Sequence, residues 1–185
     1  RVLSYLARLQ PALAMSQFEQ CYQTNMTDTA AALGALINTD CTARAKALQM
    51  FYDAWQKDAL VIDKWFAMQA ISTLPDTLSQ VKALTKHPAF DLKNPNKVYA
   101  LIGAFTNRNP SAFHARSGEG YVFLREIIQQ LDKLNPLVAA RMVKPLTTWK
   151  RYDKERQRLM REQLQIILKE KTISSDMFEL VSKSL

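Results

Sequence analysis

The sequence has few of the side chains that build metal centres and nucleophilic sites. It contains two histidines, His87 and His114, and two cysteines, Cys21 and Cys41, without a Cys-x-x-Cys spacing. It has no His-Glu-x-x-His segment, Gly-x-Ser-x-Gly elbow, phosphate-binding loop or Gly-x-Gly-x-x-Gly turn. We therefore predict no catalytic residue, no metal ligand and no bound cofactor in this chain, and two buried free thiols.

Long apolar runs are absent as well. No run approaches the roughly 20 residues that cross a bilayer, and the first residues lack the apolar stretch and cleavage site of a signal peptide. We expect no membrane partner. The chain begins at Arg1 rather than at a methionine, inside the amphipathic segment RVLSYLARL. The length fits a single domain, and this start predicts that residues 1–185 are a fragment of a longer protein.

Four glycines, and many Ala, Leu, Lys and Gln residues, favour helices over strands. Apolar residues recur at helical spacing along the chain, which predicts an all-α fold, an irregular α-solenoid of antiparallel helix pairs of the HEAT or armadillo type. The expected helices are 1–9, 12–23, 27–38, 41–56, 59–72, 76–87, 95–107, 118–134, 136–150, 153–170 and 174–184. The expected capping residues at helix starts are Thr27, Asp28, Asp76, and Ser174 or Ser175.

Residues 86–121 interrupt this pattern with both histidines, three glycines and three prolines, so we expect loops of defined geometry there. His114 has no evident carboxylate or cysteine partner, and a structural hydrogen-bonding role is favoured over general-base catalysis or metal binding. Tyr121 has two open alternatives, a hydroxyl that contacts substrate or a buried aromatic ring at a helix start. Gly118-Glu119-Gly120 is interpreted as the first turn of a helix rather than a phosphate site.

Positive charge is concentrated near the end of the chain. Residues 141–171 hold ten Lys or Arg and four acidic residues, which is +6 of the net charge of +8. Such a stretch could bind nucleic acid or an acidic protein. Its acidic residues at helical spacing favour an amphipathic helix with intrahelical ion pairs instead. Nucleic acid is therefore not the expected partner.

Several separated strings carry a resemblance to a known family. They are NMTDTAAALGALIN, ALVIDKWFAMQA, NPNKVYALIGAF, NPSAFHARSGEGYVFL, LDKLNPLVAARMVKPLTTWKRYD and the closing ELVSKSL. Together they resemble, in order and over essentially the whole chain, the C-terminal helical domain of bacterial aminopeptidase N, in the membrane alanyl aminopeptidase family of zinc metallopeptidases.

The resemblance implies a cytoplasmic four-domain enzyme that removes N-terminal residues from peptides and serves peptide catabolism. An upstream thermolysin-like domain would hold zinc, and the last domain would be a helical superhelix that caps the active site and controls substrate access. The implied partners are that upstream catalytic domain and peptide substrates. The fragment alone would be inactive.

The resemblance also suggests residues that line the substrate channel. Arg141 matches an arginine that points into the cavity in relatives, and the loops of residues 94–121 add Asn94, Asn96, His114 and Tyr121. Relatives carry arginines where this chain has Lys97 and Tyr99. A surface or interhelical ion pair is the alternative role for Arg141. The alternative function is an independent HEAT-like scaffold that binds an acidic protein or nucleic acid through its basic C-terminal face.

Overall fold

The first part of the chain forms a row of antiparallel helices joined by short turns. The structure is a computed structural model that describes residues 2–185, so Arg1 of the expected first helix lies outside the described residues. The expected caps Thr27 and Asp28 are wrong, because they lie inside the helix that begins at Met26. The cap is Asn25, whose side-chain oxygen accepts from the N–H groups of both residues. The helices are α1 (Val2–Leu9), α2 (Pro11–Cys21), α3 (Met26–Ile37), α4 (Thr42–Trp55), α5 (Ala59–Ala70) and α6 (Thr77–Leu84).

The next helix contains an irregular turn. Helix α7 (Pro95–Val98) continues through a π turn (Tyr99–Gly103) into α8 (Ala104–Arg108), so the expected regular helix over 95–107 is widened in its middle. The carbonyl of Gly103 accepts from the side-chain amide of Asn107 at 2.9 Å. A short α9 (Pro110–Phe113), which was not predicted, precedes α10 (Glu119–Leu134).

The expected single helix over 136–150 is wrong. The structure has α11 (Pro136–Met142), α12 (Lys144–Thr147) and a 3-10 turn (Trp149–Arg151) instead. Pro145 explains the break, because it has no N–H to bond the carbonyl of Arg141 one turn earlier. Two regular helices follow, α13 (Lys154–Leu168) and α14 (Ser175–Ser184).

Packing follows the order of the chain, which confirms the all-α, solenoid-like fold. Helices α1, α3, α5 and α8 contact one another in sequence and form one layer, while α2 and α4 meet in a second layer. In the C-terminal part, α10 packs on α11 and α13, and α14 packs on α11 and α13. The largest fully buried side chains extend along the whole row: Phe18, Phe51, Phe66, Phe105, Phe113 and Tyr121.

Three other local expectations are corrected or refined. Asp76 precedes α6 but makes no capping bond, because its carboxylate accepts from Gln80 and lies 3.7 Å from Arg44. Ser174 caps α14 as expected, through a bond from the N–H of Met177. Both thiols are free, but Cys41 is only half-buried because it lies at the start of α4.

None of the helices in residues 2–185 combines the length and the apolar character that a membrane crossing requires.

Candidate functional site

A polar cleft of about 270 Å³ lies between α8 and α9 on one side and α12 on the other. Thr106, Asn107, Pro110 and His114 line the first side, and Lys144, Pro145, Thr148 and Tyr152 line the second. Arg141, three residues before Lys144, donates to the hydroxyl of Tyr99 across 3.4 Å and does not line the cleft. We call the cleft together with this neighbouring contact the Arg141 groove.

The charged side chains of the Arg141 groove are all cations. Arg141 and Lys144 are exposed, and neither forms an ion pair with any described residue. Within residues 2–185, Arg141 thus has no ion pair, and its partner on another helix is the neutral Tyr99 hydroxyl. Arg141 is exposed, and its role stays a prediction. A cleft that is lined by Lys144 but by no acidic residue, with Arg141 three residues away, attracts carboxylates.

Asn94 and Asn96 lie at the start of the helix that carries Tyr99. The side-chain oxygen of Asn94 accepts from the N–H of Asn96 at 3.0 Å and caps α7. Both residues are exposed, but neither lines the cleft beside His114. The structure thus assigns Asn94 a capping role, and substrate contact by either residue stays a prediction.

His114 is held by two tyrosines. Its Nδ1 lies 2.9 Å from the hydroxyl of Tyr121, and its Nε2 lies 2.9 Å from the hydroxyl of Tyr152. Because a neutral imidazole has one N–H, one of these hydroxyls donates and the other accepts. The ring also stacks on Tyr152, with centroids 4.3 Å apart. This geometry fits the structural hydrogen-bonding role that was predicted for His114.

Tyr121 is buried, so the buried-aromatic alternative is the one observed. Burial raises the pKa of Tyr121 to about 12. Burial also lowers the pKa of His114, and the nearby guanidinium of Arg156 acts in the same direction. Arg156 donates from Nε to the backbone carbonyl of His114 at 2.8 Å and pairs with Asp153. These contacts make His114 the meeting point of α9, α10 and α13.

We call this cluster the His114 junction; it comprises Phe113, His114, Gly120, Tyr121, Tyr152 and Arg156. Sequence reasoning missed Tyr152 and Arg156, which lie 38 and 42 residues from His114 and carry no local signal of the contact. Gly118 has a φ of +73° and precedes α10, which confirms the helix-start interpretation of Gly118-Glu119-Gly120.

Ion pairs neutralise part of the basic face of α13. Arg158 pairs with Glu155 and Glu162 on the same helix. Lys150 and Arg161 lie over the ring of Trp149, at 5.0 and 4.9 Å from its centroid. These contacts fit the amphipathic-helix interpretation of this segment.

Within residues 2–185, no three His, Cys, Asp or Glu side chains form a group that could hold a metal ion. The described residues therefore do not fit a zinc site.

Comparison with known proteins places these features in a family. The model described as "Domain of unknown function (DUF3458_C) ARM repeats" matches residues 1–185. Aminopeptidase N of Caulobacter vibrioides is 45% identical over 161 residues, which are 87% of this chain and 19% of that protein. Aminopeptidase N of Escherichia coli is 41% identical over 177 residues, which are 96% of this chain and 20% of that protein.

A solved structure also matches. It is Legionella pneumophila aminopeptidase A in complex with aspartic acid, with a TM-score of 0.89 and 41% identity over 94% of this chain and 20% of that one. The chain thus spans about one fifth of the length of these relatives. The matches confirm the resemblance to aminopeptidase N. The chain belongs to the DUF3458_C family of ARM-repeat domains.

Proposed function

We propose that this chain is a domain of a zinc-dependent aminopeptidase N, in which it caps the active site of an upstream catalytic domain and controls the access of peptides. The similarity to aminopeptidases of three bacteria over most of this chain supports the enzyme class. The lack of a metal donor set among the described residues fits a division of labour in which hydrolysis takes place elsewhere. The active site, the zinc and the removal of N-terminal residues then belong to the rest of the enzyme, and the domain alone is inactive.

The Arg141 groove carries this proposal. A peptide whose N-terminus is held in the catalytic domain presents carbonyl groups and a C-terminal carboxylate to the domain that covers it. Arg141 and Lys144 are exposed cations without acidic partners among residues 2–185, and the Arg141 guanidinium contacts the Tyr99 hydroxyl at 3.4 Å. A guanidinium can bind a carboxylate with two parallel hydrogen bonds. The role of this chain is therefore to orient the peptide and to limit the size of what enters.

When bound upstream, zinc would activate the water that attacks the peptide bond. The residues of this chain would contribute binding, enclosure and exclusion of bulk water. Under the same proposal the enzyme is cytoplasmic, its partners are its own catalytic domain and peptides, and its biological role is peptide catabolism.

The test uses the full-length enzyme with Arg141→Ala and a control, Arg151→Ala, which removes another exposed arginine outside the groove. We expect Arg141→Ala to raise KM for a tripeptide about tenfold, equivalent to about 1.4 kcal/mol of lost binding. The kcat for the tripeptide and the kinetics of an aminoacyl anilide, which has no carboxylate, should stay unchanged. An unchanged tripeptide KM would contradict the proposed role of the groove.

A further inference from the structure

A second cleft, of about 350 Å³, lies where α6 meets α9 and the start of α10. One side is lined by Thr73, Leu74, Pro75, Leu78 and Ser79, and the other by Ser111, Ala112, Ala115, Ser117 and Glu119. We call it the Glu119 cleft. It has no lining residue in common with the Arg141 groove. Its volume falls within the range of roughly 300–1,000 Å³ that is usual for small-ligand sites.

The Glu119 cleft has an apolar part. Leu74, Leu78, Ala112 and Ala115 line it and are all half-buried. Because the two alanines have short side chains, the wall that α9 contributes leaves room for an aliphatic chain of a ligand. Long charged side chains often place their aliphatic stem on such an apolar surface and keep the charged end at a polar rim.

Glu119 supplies the charge of the cleft. It is exposed and forms no ion pair with any residue of the part of the chain that the structure describes. The lining contains no Lys or Arg, and Arg116, three residues earlier, does not contribute to it. A carboxylate without a cationic partner, next to an apolar surface, is complementary to a cation that carries an aliphatic chain.

Two hydroxyl groups of the cleft also favour a cation. The Thr73 hydroxyl donates to the side-chain oxygen of Asn38 at 3.1 Å, and the Ser111 hydroxyl donates to the side-chain oxygen of Asn109 at 3.0 Å. Since each hydroxyl proton is already in use, these two oxygens can only accept further hydrogen bonds. An ammonium group has three N–H donors and no acceptor. The hydroxyl oxygens therefore match an ammonium group and not a carboxylate.

We propose that the Glu119 cleft binds an alkylammonium group, with the aliphatic chain against Ala112 and Ala115 and the ammonium group at the Glu119 carboxylate. A lysine side chain of a peptide and a free polyamine both carry this chemistry. The inference is independent of the proposed function, because it uses none of the residues of the Arg141 groove.

The test measures binding to the full-length enzyme by isothermal titration calorimetry with three probes. They are the peptide acetyl-Ala-Lys-Ala-amide, the same peptide with norleucine in place of lysine, and spermidine. The acetyl group removes the free N-terminus that an aminopeptidase requires, and the amide removes the carboxylate that the Arg141 groove would attract. Binding of the lysine peptide therefore reports on its ammonium group.

Two variants and one control locate the binding. Glu119→Gln removes the charge and keeps the shape of the side chain, and Ser79→Trp fills the cleft from an exposed position on α6. Asp176→Asn is the matched control, because Asp176 is also an exposed acidic residue in the first turn of a helix and lines no part of the cleft. Thermal unfolding checks each variant, and Glu119→Gln alone decides if Ser79→Trp does not fold.

We expect Glu119→Gln to weaken binding of the lysine peptide about fivefold, which is the upper end of what one exposed ion pair contributes. Ser79→Trp should weaken it at least as much, and Asp176→Asn should leave it unchanged. Tighter binding of spermidine, with the same loss in Glu119→Gln, would identify a free polyamine as the source and support the site. Equal binding of the lysine and norleucine peptides, equal binding by Glu119→Gln and the unaltered enzyme, or no binding of either amine would overturn the proposal.

Discussion

The His114 junction and a groove of about 400 Å³ between α3 and α5, which Gly34 lines and which we call the Gly34 groove, use glycine for opposite purposes. At the junction, a Cβ on Gly120 would come within 2.4 Å of the carbonyl oxygen of Phe113, so the contact between α9 and α10 requires the absence of a side chain. In the groove, a Cβ on Gly34 would have room. The first glycine permits the chain to pack against itself. The second leaves space that the chain does not fill.

The two regions also differ in whether their polar side chains have hydrogen-bond partners within the chain. Both ring nitrogens and the carbonyl of His114 have partners within the chain. The side chains of Lys64 and Arg108, which line the Gly34 groove, have no partner among residues 2–185. A region that serves stability satisfies its polar groups internally, whereas the Gly34 groove leaves two exposed cations to the solvent. The four predictions below test this contrast.

The largest expected effect is that of Gly120→Ala. The new methyl group would overlap the Phe113 carbonyl, and either α9 or α10 must move to relieve the overlap. We expect the free energy of unfolding to fall by about 2–3 kcal/mol, the usual cost of overpacking. Urea denaturation of the purified chain measures it. A loss below about 0.5 kcal/mol, the level of an ordinary surface change, would show that the junction is not tightly packed.

Tyr121→Phe should have the next largest effect. It removes the hydroxyl that contacts Nδ1 of His114 and keeps the buried ring. We expect a loss of about 1–2 kcal/mol, because a half-buried ring nitrogen is left without a partner. Tyr5→Phe is the matched control, since the Tyr5 side chain is 72% exposed. Equal unfolding midpoints for the two variants would contradict a stabilising role for this hydrogen bond.

Gly34→Ala should change stability in the opposite direction. Alanine at this position avoids the conformational cost of glycine in α3 and meets no close atom. We expect the free energy of unfolding to rise by about 0.5–1 kcal/mol. The comparison with Gly120→Ala is made by urea denaturation under the same conditions. Destabilisation by Gly34→Ala would mean that the fold itself needs this glycine.

The smallest expected effect concerns pH. The pKa of His114 is lower in the folded chain than its ordinary value of 6.5, mainly through burial, so the unfolded chain binds more protons as the pH falls below 6.5. The stability contributed by neutral His114 is thus complete above pH 6.5 and is lost as the pH falls through the lowered pKa. We expect less than about 1 kcal/mol, because solvent partly screens this half-buried ring.

His87 needs a separate control, since burial lowers its pKa too. The measurement is the unfolding free energy between pH 7 and pH 5 for His114→Asn, for His87→Asn and for the unaltered chain. His114→Asn should flatten the pH dependence. If the unfolding free energy of His114→Asn varies with pH as steeply as that of the unaltered chain, the pH dependence comes from His87 or from other groups.

Helical periodicity predicted most of the fold because each helix buries one face. It predicted α3, α5, α10 and α13 to within a few residues. It failed where one residue changes the backbone, as at Pro145, whose missing N–H ends α11 early, and at the π turn, which periodicity does not reveal. It also could not indicate which helices meet.

The candidate site shows the same limit. His114 and Tyr121 were identifiable as a loop histidine and a tyrosine at a helix start, and they lie seven residues apart. Tyr152 and Arg156 complete the junction from α13 and the turn before it, and only the folded chain brings them there. Arg141 was found by family resemblance, while its partner Tyr99 lies 42 residues away.

The π turn at Tyr99–Gly103 sets the rotational phase of the two helical segments that it joins. A π turn holds one residue more than an α-turn, so it rotates the following segment by about 100° relative to a regular helix. Before it, Lys97 is fixed to α5 by its ion pair with Asp63 at 2.7 Å. After it, Asn107 faces one groove and Arg108 the other. Deletion of one residue from the π turn would leave a regular helix. The segment after the turn would then be rotated, and the side chains of Asn107 and Arg108 would no longer line their grooves.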